Sequence, residues 1–206
     1  MHQPFYIGFG ELLAQTLDEL GGEHVLLGNS VGGFAALHAA AHRPERVAGL
    51  VLVSPGGFSP RWIGTTLACR AFGSRRLAPV VYRNLPRLYL RDRNANVTAA
   101  IQRAERASRS AEGCETYGNL WRSFTDPGHD GRTLAAGVRC PILLAWGTYD
   151  PVLPWRLDGR RARGALPQAR TVTFPGAGHQ PFIERPDEFL AATAPFLSGL
   201  RDAVAR

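Results

Sequence analysis

Four short apolar runs, separated by helical stretches, set the pattern of hydrophobic and polar residues along this chain. The runs show no polar alternation, which is typical of strands that are buried on both faces of a parallel sheet. Leucines and alanines at helical spacing mark the stretches between them. The sequence therefore predicts an α/β fold with a mostly parallel sheet of about four strands. The runs cover residues 25–27, 46–54, 140–146 and 170–174, and helices are predicted at 10–20, 34–41, 156–166 and from Pro186 onward.

Residues 61–136 interrupt this alternation. The segment combines arginine-rich helical stretches with scattered aromatic residues, and no strand is evident in its sequence. We therefore expect one core, formed by residues 1–60 and 137–206, with a helical insertion at 61–136. A chain of 206 residues is long enough to bury one substantial core.

Positive charge is concentrated in the first part of this insertion. All 24 basic residues are arginines, the net charge is +7, and residues 61–110 hold 11 arginines against Asp92 and Glu105. A basic segment attracts acidic substrates, anionic lipid or nucleic acid, although a solvated helical surface is the simpler interpretation. Because the sequence carries no helix-turn-helix, zinc-finger or RNA-binding signature, we expect a small-molecule substrate and no nucleic-acid partner.

Cysteine usage and the first residues bear on location and on bound groups. Cys69, Cys114 and Cys140 are odd in number and far apart, which argues against a disulfide framework and a zinc site. The first 20 residues lack a cationic start, and no uncharged stretch has the composition of a membrane span. The sequence thus predicts a cytoplasmic protein with no membrane span, no metal and no cofactor.

A glycine-rich turn at 28–32 separates the first apolar run from the helical stretch that follows it. Ser30 occupies the middle of this G-x-S-x-G pattern. The glycines let the strand and helix backbones pass closely around a strained serine, as a nucleophile elbow requires. A glycine-rich turn with a capping serine is the alternative. The flanking strand and helix favour Ser30 as a nucleophile that projects toward substrate.

Two further candidates follow later strands. Asp150 comes directly after the third apolar run and His179 comes after the fourth. Functional loops of a parallel sheet lie at the carboxyl ends of its strands, so both residues are expected at the edge that bears Ser30. Taken singly, Asp150 is equally well explained as a turn former and His179 as a loop residue. A serine hydroxyl needs an imidazole base and an acid that orients it, so the order Ser, Asp, His favours catalysis.

A rival cluster consists of Asp126, His129 and Asp130. These residues precede the third predicted strand rather than follow a strand. Residues in that position lie at the amino end of a strand, so we expect the cluster at the wrong edge of the sheet for Ser30.

Four motifs, GNSVGG, RPERVAGLVLVSPGG, ILLAWGTYDPVLP and FPGAGHQPFIERPDEF, resemble the α/β-hydrolase superfamily. The resemblance covers most of the chain outside residues 61–136, which correspond to the helical cap of that family. It implies that Ser30 is the nucleophile, His179 the general base and Asp150 the acid that orients the base. The motifs are most similar to the serine-nucleophile branch that includes meta-cleavage product hydrolases and esterases.

The function that this resemblance implies is hydrolysis of a small ester, or of a carbon–carbon bond in a vinylogous diketone acid. Cap aromatics would make the pocket apolar, and the basic cap would suit a substrate that bears a carboxylate. The alternatives are a non-catalytic remnant that serves as a binding or dimerisation module, and a cofactor-free haloperoxidase or perhydrolase. The residues expected to bind substrate are Asn29, Trp62, Trp121 and Phe124.

One part of the family's pattern has no counterpart in this sequence. Only 29 residues precede Ser30, and one helix and one strand account for them. In the family, a loop after an earlier strand supplies one of the two oxyanion-hole amides, so the Val31 N–H is the only donor that we assign. We therefore expect an amino-terminal truncation with weak activity, and an unpaired apolar edge at residues 25–27 that favours a homodimer.

Overall fold

The computed structural model describes the backbone of residues 5–204 and the side chains of residues 7–200. Helices and strands alternate on both sides of a helical segment, as the apolar runs predict. The helix expected at 156–166 is divided into a π-helical turn, Trp155–Gly159, and a short α-helix, and a 3₁₀ turn spans Pro44–Arg46. The regular elements are α1 Phe5–Leu20, β1 His24–Asn29, α2 Val31–His42, β2 Val47–Val53, α3 Ile63–Phe72, α4 Ala78–Tyr89, α5 Ala95–Ala107, α6 Ala111–Ser123, α7 Gly131–Ala135, β3 Ile142–Gly147, α8 Arg160–Ala165, β4 Arg170–Phe174, α9 Pro181–Glu184 and α10 Pro186–Val204.

All four strands form one parallel sheet in the order β1-β2-β3-β4. Leu27 of β1 lies opposite Val51 of β2, and Val51 lies opposite Leu143 of β3. The predicted α/β fold and its parallel sheet are confirmed. The third strand begins at Ile142 rather than at residue 140, because Pro141 has no N–H to donate to a ladder.

The two faces of the sheet bury different layers. On one face, Leu50, Leu52 and Leu144 pack with residues of α2 and α8. On the other face, Val51 packs with Phe189 of α10 and with residues of β3 and β4. Successive side chains of a strand point to opposite faces, so coverage of both faces explains the continuous apolar runs in the sequence.

β1 departs from this coverage. Within residues 5–204 it pairs on one side only, as β4 does at the other end of the sheet, and its Val25 and Leu27 are 42% and 54% exposed. Leu26 lies between them and packs against the covered face. An apolar strand in this situation is a template for pairing with another chain. The unpaired edge expected from the sequence is therefore present among the described residues, whereas the truncation and the homodimer stay predictions.

Five helices, α3 to α7, fill the segment between β2 and β3. Residues 61–136 are all described, and none of them lies in a strand. Aromatic residues hold the helices together: Tyr82 stacks on Tyr117 with ring centroids 4.2 Å apart, and Phe72 meets Trp121 edge-on at 5.0 Å. We use the name cap for residues 61–136, and the division into a core and a cap domain stays a prediction.

The described helices also bear on the expected absence of a membrane span. None of them is both long and apolar enough to cross a bilayer. The location of the protein in the cell stays a prediction.

Candidate active site

Ser30 occupies a sharp turn between β1 and α2. Its φ is 53° and its ψ is −115°, a backbone conformation that costs free energy for a residue other than glycine. The turn is held because the Ser30 N–H donates to the Val53 carbonyl at 3.0 Å. A Cβ at Gly28 would lie 2.3 Å from the Gly32 carbonyl oxygen, so glycine is required at that position. The local sequence thus adopts the strand-turn-helix geometry of a nucleophile elbow.

Asp150 and His179 form a buried hydrogen-bonded pair. Asp150 follows β3, His179 follows β4, and the two residues are 3% and 4% exposed. The distance between His179 Nδ1 and Asp150 Oδ2 is 2.6 Å. The other carboxylate oxygen, Oδ1, accepts the N–H groups of Val152 and Leu153 at 2.8 and 3.0 Å. Because a carboxylate only accepts, Nδ1 carries the proton of the shared bond and Nε2 is left as an acceptor.

Asn29, which we expected to bind substrate, joins the serine turn to the histidine loop. Its amide nitrogen donates to the carbonyls of Val53 at 3.0 Å and of His179 at 3.1 Å. Its amide oxygen accepts from Gln180 Nε2 at 3.2 Å. Asn29 is not among the residues that line the cavity beside Ser30. The structure shows Asn29 as a link between two loops, and its role in binding substrate stays a prediction.

The cap closes over His179 through the last residue of α4, Tyr89. The Tyr89 carbonyl accepts the His179 N–H at 2.9 Å, and the two rings meet edge-on with centroids 5.3 Å apart. Burial raises the pKa of Tyr89 to about 12, so its phenol is neutral at physiological pH. A Cβ at Gly178 would lie 1.9 Å from the Tyr89 carbonyl oxygen. The glycine before the histidine thus allows the cap to lie against the histidine loop.

A cavity of about 510 Å³ opens beside Ser30. Its volume and its mostly apolar lining are typical of sites for small organic molecules. The residue after Ser30, Val31, also lines it. Three of the residues that we expected to bind substrate are part of the lining: Trp62, Trp121 and Phe124.

Arg61 brings positive charge to this cavity. Of the 11 arginines in residues 61–110, Arg61 alone is part of the lining. Its Nη2 donates to the carbonyls of Asp126, at 2.9 Å, and of Pro127. The remaining cap arginines do not line the cavity.

His129 lines the same cavity as Ser30, so the expectation that the cluster at 126–130 lies at the opposite edge of the sheet is wrong for this residue. The Gly131 N–H donates to the Gly57 carbonyl at 2.8 Å and draws the segment back to the carboxyl end of β2. Gly57 has a φ of 88°, which favours glycine. Gly57 and Gly131 are the sequence features that could have indicated that this segment lies at the carboxyl end of β2.

The His129 ring adds an uncharged surface to the cavity wall. It lies 4.6 Å from the Phe34 ring and 4.9 Å from the Phe124 ring, measured between centroids. Burial, and to a smaller extent the charge of Arg61, lowers the pKa of His129 to about 4. The imidazole is therefore neutral at pH 7.

A second buried carboxylate, that of Asp158, reaches the cavity wall through Ser59. Asp158 is 2% exposed and lies in the π-helical turn, and its Oδ1 accepts the Ser59 hydroxyl. Ser59 itself lines the cavity. Burial raises the pKa of Asp158. Sequence spacing does not indicate this pair, because Ser59 and Asp158 lie 99 positions apart in the chain.

Val31 is the one oxyanion donor that we assign within residues 5–204. It begins α2 and lines the cavity, so its N–H lies at the positive end of the helix dipole. In the same part of the chain, histidine, cysteine and acidic side chains do not form a group of three or more that could hold a metal ion.

Comparison with known proteins shows which family this chain belongs to. A model of the Alpha/beta hydrolase family matches residues 5–192. This chain belongs to that family. An uncharacterized protein of Mycobacterium tuberculosis (strain ATCC 25618 / H37Rv) is 32% identical to this chain over 200 residues, with 84% of the chain and 55% of the relative covered. The chain thus spans about half the length of that relative.

Esterases are among the similar proteins. The pimeloyl-[acyl-carrier protein] methyl ester esterase of Chromobacterium violaceum is 28% identical over 182 residues, with 84% of this chain and 69% of the relative covered. The structure of a thermophilic esterase from Thermogutta terrifontis aligns with a TM-score of 0.71 at 24% identity. The alignment covers 91% of this chain and 70% of the esterase chain. At that identity the structural likeness shows the fold alone.

Proposed function

We propose that this hydrolase cleaves small carboxylic esters through Ser30, His179 and Asp150. The observation that carries the proposal is the 2.6 Å distance between His179 Nδ1 and Asp150 Oδ2. This bond selects the imidazole tautomer whose Nε2 accepts a proton from a serine hydroxyl. The Asn29 amide, directly before Ser30, ties the serine turn to the histidine loop. The esterase from Chromobacterium violaceum supports an ester as the substrate.

The proposed reaction has two halves. His179 Nε2 takes the Ser30 hydroxyl proton while Oγ attacks the ester carbonyl carbon, and the Val31 N–H donates to the oxyanion. The intermediate collapses, the alcohol leaves with the proton from His179, and Ser30 keeps the acyl group. Water then loses a proton to His179 and attacks the acyl carbon. When this second intermediate collapses, the bond to Ser30 Oγ breaks, Oγ takes the proton back from His179, and the carboxylic acid is released. Asp150 remains an acceptor throughout and stabilises the imidazolium.

The cavity supports a particular class of ester. Its apolar lining and its volume of about 510 Å³ suit a small to medium apolar acyl or alkoxy group. Arg61 offers a cation to a carboxylate on the substrate. Esters that bear a carboxylate are therefore the favoured substrates. Cleavage of a carbon–carbon bond in a vinylogous diketone acid would use the same three residues and is the second substrate class to assay.

A fluorophosphonate probe tests the nucleophile. We expect mass spectrometry to find the label on Ser30, and we expect Ser30→Ala to remain unlabelled and to lose at least about 10³-fold in turnover of p-nitrophenyl acetate. Ser123→Ala is the control, because the Ser123 hydroxyl lies in the cap and donates to the Leu120 carbonyl at 2.7 Å. This control should react like the wild type. A label on another residue, or equal turnover by Ser30→Ala, would refute the proposal.

Two other outcomes would favour the alternative functions. A folded wild-type chain that neither reacts with the probe nor turns over any ester would indicate a binding or dimerisation module. Peroxide-dependent oxidation of halide that requires Ser30 would indicate a cofactor-free haloperoxidase. Both assays use the same protein and the same Ser30→Ala variant.

A further inference from the structure

Glu184 is a buried acidic residue that the proposed reaction does not use. It ends α9, shortly after the histidine loop, and is 3% exposed. The Gly178 N–H donates to both of its carboxylate oxygens at 3.0 Å, and the Gln180 N–H donates to Oε1 at 3.3 Å. Because Gly178 and Gln180 flank His179, the carboxylate holds the backbone on both sides of the imidazole.

The same carboxylate also holds the cap. The N–H groups of Arg91 and Asp92 donate to Glu184 Oε2 at 2.8 and 3.3 Å. These two residues follow α4, whose last residue, Tyr89, accepts the His179 N–H at 2.9 Å. One side chain therefore joins the end of a cap helix to both flanks of the histidine.

Because the Glu184 carboxylate is buried, hydrogen bonds must compensate for its lost hydration. A carboxylate away from water is tolerated only when donors replace its hydration, and here main-chain N–H groups supply them. The neighbouring cation, Arg185, pairs with Asp92 at 2.7 Å. The Glu184 carbonyl is also engaged, because it accepts from Asn94 Nδ2 at 2.7 Å. The position of Glu184 is thus fixed by the cap and the histidine loop together.

We propose that Glu184 is a positioning residue that fixes the His179 imidazole relative to Ser30. Through Glu184, the position of the imidazole also depends on the position of the cap. The inference rests on the proposed function, because His179 acts there as the base. A movement of the end of α4 reaches His179 through the amides that share the carboxylate. Glu184 does not line the cavity, so its effect falls on kcat rather than on KM.

Glu184→Gln is the informative variant. It keeps the size of the side chain but turns an NH₂ donor toward main-chain donors. We expect kcat for the best ester to fall about 10²-fold with KM nearly unchanged, since a misplacement of about 1 Å at a catalytic group has an effect of that order. Glu184→Asp keeps two acceptor oxygens and should recover part of kcat.

Asp92→Asn is the matched control. It removes the Arg185 ion pair from the same junction while the Glu184 carboxylate stays intact. Such partly exposed pairs contribute little free energy, so kcat should fall less than about threefold. The control thus separates a general loosening of the junction from loss of the carboxylate.

Two measurements need no substrate. The short bond between His179 and Asp150 should give a far-downfield proton resonance, which we expect to broaden or disappear in Glu184→Gln and to persist in Asp92→Asn. The amide protons of Gly178 and Arg91 should also exchange faster, and together, in Glu184→Gln. A concerted change at two sites on different segments is the signature of a shared carboxylate.

The proposal is overturned if Glu184→Gln keeps the downfield resonance, the wild-type exchange at Gly178 and a kcat no lower than that of Asp92→Asn. If Glu184→Gln does not fold, the same measurements on Glu184→Asp decide it by the same criterion. A wild type that shows the resonance and its dependence on Glu184, but never labels at Ser30, refutes the proposed function and leaves the positioning of His179 in place.

Discussion

The histidine side and the serine side of this site are built differently. On the histidine side, Asp150 and His179 are 3% and 4% exposed, and both Asp150 oxygens accept hydrogen bonds. On the serine side, Ser30 follows β1, which within residues 5–204 pairs on one side only and leaves Leu27 54% exposed. Both Ser30 and His179 follow edge strands, β1 and β4, but the cap covers His179 through Tyr89, whereas β1 leaves an apolar side chain exposed.

The difference corresponds to what each side does in the proposed reaction. A charged imidazolium needs a fixed acceptor in a dry environment, which only surrounding protein provides. A serine on an elbow needs chiefly the strained turn, and local glycines supply that turn. We therefore expect substitutions on the histidine side to act on catalysis, and substitutions on β1 to act on stability and association.

Asp150→Asn should have the largest effect. Loss of the carboxylate frees the His179 tautomer, so kcat should fall about 10⁴-fold, and labelling of Ser30 by a fluorophosphonate should slow in parallel. Asp158→Asn is the control, because Asp158 is equally buried but bonds to Ser59. Equal losses in the two variants would contradict the assignment of the orienting acid to Asp150.

The open edge can be tested by a pair of lysine substitutions. Leu26→Lys places a charge against the covered face and should lower the free energy of unfolding by about 3 kcal/mol or more. Leu27→Lys should change it by no more than about 0.5 kcal/mol and should reduce self-association. Urea unfolding and sedimentation measure the two effects. A Leu27→Lys protein as destabilised as Leu26→Lys would show that the outer face of β1 is covered in solution.

His129 predicts how stability depends on pH. Its pKa in the folded protein is about 4, below the ordinary 6.5, so between these values the unfolded chain binds a proton that the folded protein excludes. The groups that face it are Arg61, which lowers the pKa, and Asp126 and Asp130, which raise it. The contribution of neutral His129 to the free energy of unfolding is fully present above pH 6.5. As the pH falls to 4 this contribution is lost, which lowers the free energy of unfolding by up to about 3 kcal/mol.

His129→Phe removes this titration and keeps an aromatic ring beside Phe34 and Phe124. The free energy of unfolding of both proteins is measured in urea at pH 7 and near pH 4. Relative to the wild type, the variant should be more stable near pH 4 than at pH 7. Equal pH dependence in both proteins would show that the pKa of His129 in the folded protein is close to its ordinary value.

Arg61→Gln should have the smallest effect. We expect kcat/KM for an ester that bears a carboxylate to fall about fivefold at low salt, with no change for a neutral ester of the same size, because exposed charge pairs are weak and screened. Arg109→Gln, a cap arginine outside the cavity, is the control. If both variants or both esters respond alike, the cap arginines serve only as a solvated surface.

Features encoded in short stretches could be predicted from the sequence. The turn at Ser30 depends on Gly28, only two positions before it, and the four apolar runs determine the parallel sheet. Asp150 and His179 could be predicted because each lies in the loop that follows a strand, and the structure places their side chains 2.6 Å apart. Their catalytic roles stay proposals.

Contacts between distant segments could not be predicted. Asn29 bonds to the carbonyl of His179, which lies 150 positions later in the chain. Glu184 accepts from Arg91, which lies 93 positions earlier. No local pattern marks either contact, because each depends on how the cap and the loops pack after the strands have formed.

The order of the strands also bears on how the chain folds. α2 and the 3₁₀ turn join β1 to β2, and the π-helical turn and α8 join β3 to β4, so each of these pairs closes over a short connection. β2 and β3 are separated by residues 54–141. A long connection adds little to the free energy of loop closure, but contacts between distant positions form slowly. We expect two short strand-helix-strand units to form early and the cap to limit the rate at which they join into one sheet.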